Sequence, residues 1–145
     1  MWGLTFEQRL EAWTALRDRV RDLPASDALD EINAWWQRTP WRAYHLHWDD
    51  RPDWPDPWQL LSDNIYCDLA RALGIMYTIT VLDRDDIQDA VLIETEQGNL
   101  VQVQGGKYIL NWGTDLELNT SLQTSKHHIA QSEIKQQLYL SLIHI

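Results

Sequence analysis

One thiol, five imidazoles and nine tryptophans are the side chains of this 145-residue sequence from which chemistry could be built. The thiol is Cys67, in the run DNIYCDLARALGI. A nucleophilic cysteine needs an imidazole to take its proton, and a carboxylate or amide to orient that ring. No histidine occurs between Asp49 and Lys126, so a base must come from His45 or His47 upstream, or from His127 or His128 downstream. Asp63 and Asp68 lie close by, and negative neighbours disfavour a thiolate. The ordinary role for such a cysteine is a small buried residue on a helix, and that role is expected here.

His45-x-His47 followed by Asp49 and Asp50 is the one metal-like cluster, because alternate residues of an extended segment can chelate with carboxylates completing the set. No distant third ligand is signposted, so these groups are expected to be solvated and no metal or other cofactor is predicted. Asp49-Asp50 and Asp85-Asp86 point in different directions and lack the apolar context that tunes a carboxyl for acid–base work. Gly105-Gly106 is a turn signal, with no phosphate-binding pattern around it. Trp13, Trp35 or Trp36, and Trp58 fit helical stripes, whereas Trp41, Trp48 and Trp54 fall in a Pro- and Asp-rich stretch. Core packing is the ordinary role for each. Aromatics in such loops also serve as anchors for protein partners, so these three are the candidate binding residues.

The elements that must position these groups can be read from period and punctuation. Thr5 and Gln8 form a capping box opening an amphipathic helix over 5–23, which Pro24 ends. Ser26 caps a second helix over 26–38, closed by Thr39-Pro40. Residues 40–57 read as loop. Asp56 with Pro57 starts a third helix over 57–73, with Cys67 inside it and Gly74 as its C-terminal cap. The period then changes from 3.6 to 2, which predicts strands over 75–82, 89–96, 99–104 and 107–112, with Gly105-Gly106 as a hairpin turn. The predicted class is α+β, with N-terminal helices packed on a small antiparallel β-meander, in one domain over residues 1–112.

Residues 113–139 turn polar and are expected to be a linker or edge segment. The closing LSLIHI back-translates naturally to CTG-TCT-CTT-ATA-CAC-ATC. That string is similar to the transposon end used in sequencing-library adapters, so Leu140 to Ile145 are expected to be read-through.

Composition excludes several classes. A net charge of −10 is wrong for gripping duplex phosphate, and acidic residues around the loop tryptophans disfavour single strands too. A single cysteine cannot form an internal disulfide. No run approaches the ~18 apolar residues of a membrane span, and no signal-peptide pattern opens the chain. Eight of the nine tryptophans fall within the first 58 residues, while charge is spread evenly.

A cysteine helix followed by a meander resembles transglutaminase-like and papain-like domains over residues 60–115. The resemblance implies acyl transfer with Cys67 as nucleophile and Asn111 as the orienting amide. However, the positions matching the family's histidine strand are Val91, Leu92 and Ile93. Over about 60 residues the chain also resembles small proteins of marine and T4-like tailed phages. Trp54–Trp58, Asp63–Cys67, Leu73–Thr78 and Gly106–Trp112 carry that likeness. It implies a phage source, in host cytoplasm or virion, and brings no activity. The expected function is protein–protein contact without catalysis, with other phage proteins among the expected partners. The alternative is cysteine-dependent acyl transfer at Cys67.

Overall fold

Thr5 takes an extended backbone and accepts the Gln8 N–H at 3.3 Å, while the Gln8 side chain accepts the Thr5 N–H at 3.1 Å. This reciprocal cap opens α1 (Phe6–Val20) in the computed structural model, which describes residues 3–43, 46–95, 98–111 and 127–143. Helix α1 buries Trp13, Leu16 and Val20. Helix α2 (Ala25–Gln37) begins one residue ahead of the predicted Ser26 cap, with Pro24 at its N-cap. It buries Leu29, Ile32, Trp35 and Trp36.

The loop expected over 40–57 contains a 3₁₀ helix, Trp48–Asp53. Helix α3 (Pro57–Asp63) starts as predicted: Asp56 accepts the Gln59 N–H at 2.8 Å and Pro57 occupies the first turn. It does not run to residue 73. Asn64 adopts a left-handed backbone (φ 53°), and the chain restarts as α4 (Asp68–Leu82) with Cys67 as N-cap. Arg9 fixes this break. Its guanidinium is buried and donates to the carbonyls of Leu61 (2.7 Å) and Ser62 (3.3 Å), and also to that of Leu4. A cation thereby satisfies carbonyls at the C-terminal end of α3.

The strand predicted over 75–82 is instead the second half of α4, and Gly74 lies inside that helix rather than capping it. Twelve of the residues from Leu69 to Leu82 are buried. A helix buried over nearly all of its surface needs little polar face and so shows no clear amphipathic stripe. Its β-branched Ile75, Thr78, Ile79 and Thr80 imitate strand composition. Gly74 is where Trp36 crosses α4: a Cβ there would overlap the Trp36 ring. Trp13 and Trp36 both donate their indole N–H to Thr78 Oγ1, each at 2.9 Å.

The sheet is antiparallel, in the order β3-β2-β1-β4. Strands β1 (Val91–Thr95), β2 (Gly98–Val103) and β3 (Tyr108–Leu110) form the expected meander, with Gln104, Gly105 and Gly106 at positive φ in the second turn. The fourth strand comes from the segment expected to be a linker or edge. β4 (His127–Ala130) pairs with the outer side of β1, Leu92 facing Ile129. Helix α5 (Gln131–Ile143) follows, and Ile134 and Leu138 bury against the core. The fold is thus mixed α+β. Leu92, Val101, Val103, Leu110 and Ile129 from the sheet share one apolar core with the helices. Among the described residues, no helix is long and apolar enough to cross a membrane.

Candidate functional site

Between α3 and α4 the chain is stitched to the start of the tryptophan-rich loop. The Tyr66 N–H donates to the Pro40 carbonyl at 3.0 Å and the Arg42 N–H to the Tyr66 carbonyl at 2.7 Å, a parallel bridge pairing Trp41 with Tyr66. The Tyr66 hydroxyl is buried and donates to the Leu60 carbonyl at 3.0 Å. Cys67 follows in an extended conformation at the head of a 15-residue helix. Its sulfur is buried and accepts the Leu46 N–H at 3.3 Å.

Asp68, the next residue, binds the helix start to the sheet. One carboxylate oxygen accepts the Asn99 backbone N–H and the Asn99 side-chain amide (3.1 Å). The other accepts Asn111 Nδ2 at 3.1 Å, which also reaches the Asp68 carbonyl (3.2 Å) and the Asn99 carbonyl (2.7 Å). Asn111 sits at the end of β3 with φ 60°, where its N–H donates to Asn33 Oδ1 at 2.9 Å and its Oδ1 accepts the Gln37 amide. Burial pushes the Asp68 carboxyl above its ordinary value; donors from Asn99 and Asn111 and the nearby Arg71 charge oppose that shift. Asn111, the residue expected to orient a catalytic histidine, orients this carboxylate instead.

Trp48 covers one side of the site. Its indole N–H donates to Asn99 Oδ1 at 2.7 Å, and its ring meets Trp54 edge-on (5.2 Å, 77°). The His127 imidazole stacks on it (5.3 Å, 16°), while His127 Nδ1 lies 2.7 Å from Glu94 Oε1. Trp54 is buried and donates to the His47 carbonyl at 2.7 Å, so it anchors the loop to the core and is not a contact surface. Tyr77 holds the same loop from below, its hydroxyl donating to the Pro55 carbonyl at 2.6 Å, and burial raises its pKa.

These groups enclose a groove of about 670 Å³ at the N-terminus of α4. Trp41, His47, Trp48, Cys67, Glu94 and Asn99 line it. Trp41 is 60% exposed. Of the three tryptophans proposed as anchors, Trp41 and Trp48 therefore reach the groove. Cys67 lines it too, whereas Asn111 is not part of the lining and is joined to it through Asp68 and Asn99. His47 lines the groove, but His45 lies outside the described residues. Among the described residues, no three of His, Cys, Asp or Glu come together as a metal set.

The arrangement bears directly on nucleophilic chemistry. Among the described residues, the hydrogen-bond partner of the Cys67 sulfur is the Leu46 N–H. The positions matching the histidine strand, Leu92 and Ile93, are buried apolar residues of β1. The sheet groups that reach the start of α4 are the amides Asn99 and Asn111. Asp68, Asn99 and Glu94 were not singled out from the sequence as site residues. The one signal for them is Gly98, which opens β2 at φ 149° where a Cβ would approach Asp68 Oδ2 to 3.1 Å. A glycine at such a position marks the close approach of another part of the chain. No family model, no curated protein and no solved structure matches the chain.

Proposed function

We propose that this chain is a non-catalytic binding protein that makes protein–protein contact through the aromatic groove at the head of α4. The observation that carries this reading is Trp41, a large aromatic side chain left 60% exposed at the edge of a groove of about 670 Å³. Exposed tryptophans beside well-packed neighbours are typical binding anchors. Trp48 supplies the rigid wall, held by Asn99, Trp54 and His127. On the sequence resemblance, the source is a phage and the partner another protein of the infection or the virion. The test is capture of the partner from infected host cells, then titration of the purified partner. Trp41→Ala should weaken binding about tenfold or more while leaving the fold intact, as truncation of a central anchor does. Unchanged affinity overturns the reading.

A second reading, acyl transfer at Cys67, is favoured by one observation: Cys67 at the N-cap of α4 and His47 line the same groove. Iodoacetamide titration between pH 5 and 9 separates the two. Fast alkylation near neutral pH that His47→Ala abolishes supports the nucleophile, because activation requires an adjacent base. Slow alkylation, indifferent to His47, supports the binding protein.

A further inference from the structure

We infer that the groove is built for a cationic side chain, carried on an extended segment of the partner protein: a lysine or arginine whose alkyl stem lies between the tryptophans. The inference rests on the binding reading and names the chemistry of the occupant. Its first support is charge. Glu94 contributes a carboxylate to the wall, the Asp68 carboxylate beside it being engaged by Asn99 and Asn111, and among the described residues no lysine or arginine lines the groove. The chain as a whole carries −10, so its field draws cations in. Its second support is the aromatic edge. The exposed Trp41 indole offers a π face, the best of the side-chain faces for an ammonium or guanidinium, and Trp48 stands on the same groove. Its third support is the base, where Cys67, Leu69 and Thr95 are buried and suit a methylene stem rather than a charge. The volume exceeds a single side chain and falls in the range of ligand pockets, which fits a few residues of extended chain.

Glu94 is the discriminating group. It faces His127 at 2.7 Å from β4, with its side chain 22% exposed, and that imidazole stacks on Trp48.

The test uses the full chain and three fluorescein-labelled nonapeptides of one scaffold, bearing arginine and lysine, glutamine, or glutamate at the same positions. Anisotropy gives affinity, and indole N–H signals in ¹H–¹⁵N spectra locate the site. The basic peptide should shift the Trp41 and Trp48 signals and bind about tenfold more tightly than the glutamine peptide. Trp41→Leu and Glu94→Gln should each cost about five- to tenfold, the size of one cation–π contact or ion pair. Asp18→Asn, the same charge change at a remote exposed site, should cost almost nothing. Equal or tighter binding of the glutamine or glutamate peptide in the groove overturns the cationic inference and leaves the binding reading standing. Failure of the basic peptide to shift Trp41, or an equal loss with Asp18→Asn, overturns the inference as non-specific attraction. Circular dichroism of each variant confirms that the fold is retained.

Discussion

Asn111 grips Asp68 twice, donating through Nδ2 to its carboxylate at 3.1 Å and to its backbone carbonyl at 3.2 Å. The end of β3 is thus fastened to the first residue of α4, and the groove inherits its floor from that link. Removing the amide takes the donor from one oxygen of a buried carboxylate whose other oxygen Asn99 holds. Asn111→Ala should therefore destabilise the protein by about 2–4 kcal/mol in urea titrations, the cost of leaving buried charged and polar groups without partners.

The same carboxylate sets a pH dependence. Burial holds the Asp68 pKa above the ordinary 3.8, so the folded state binds this proton more tightly than the unfolded chain. The penalty for carrying the charge is fully present above the folded pKa and fades as pH falls towards 3.8. Asp68→Asn removes this dependence. The stability difference, wild type minus Asp68→Asn, should move in favour of wild type as pH is lowered through the acid range. A flat difference would contradict the burial argument.

Thr78 serves two indoles with one oxygen. Thr78→Val keeps the shape and leaves the N–H groups of Trp13 and Trp36 without their acceptor. We expect a loss of about 2–4 kcal/mol, two donors at about 1–3 kcal/mol each with partial relaxation. Thr78→Ser should lose far less. Trp13→Phe combined with Thr78→Val should be clearly non-additive, because the two positions share the bond.

Gly74→Ala offers a test of sign. In an exposed helix this change gains about 1 kcal/mol from propensity. Here the new methyl overlaps the Trp36 ring, and overpacking typically costs about 1–3 kcal/mol, so the net effect should be destabilising. Trp36→Leu alone should be costly, yet Gly74→Ala on that background should cost much less or become favourable. Thermal unfolding of the four proteins measures the coupling.

His127 and Trp48 form a stacked pair at the side of the groove. His127→Ala should change the Trp48 indole environment in ¹H–¹⁵N spectra and cost about 0.5–1.5 kcal/mol, the range for aromatic pairs. His127→Phe keeps the stack and loses the Glu94 contact, so it should restore most of that stability. Exposed pairs such as Glu94–His127 contribute little on their own.

Much of the helical half was legible because its signals are local. The Thr5–Gln8 box and Asp56-Pro57 specify helix starts through bonds made within four residues. Gly105-Gly106 marks a turn for the same reason. What escaped depends on tertiary surroundings. Helix α4 is buried over nearly all of its surface and its exposed position in this span is the apolar Val81, so Ile75 to Leu82 carries no charged face to reveal its period. Strand β4 buries Ile129 alone and lies in a polar stretch, because an edge strand needs only one inward residue. The Asp68–Asn99–Asn111 cluster joins positions that are remote in sequence, and only the packing of α4 on β2 and β3 brings them together.

The strand order β3-β2-β1-β4 has a consequence for how the chain is made. β1, β2 and β3 emerge from the ribosome in turn, but β4, which closes the outer side of β1, arrives only after a long intervening segment. Until then a nascent chain presents β1 as an open edge, with N–H and C=O groups ready to pair with a neighbouring chain. Polysomes bearing this message, or chains stalled before residue 127, should therefore be the form most prone to association. Emergence of β4 then pairs the outer side of β1 and ends that exposure.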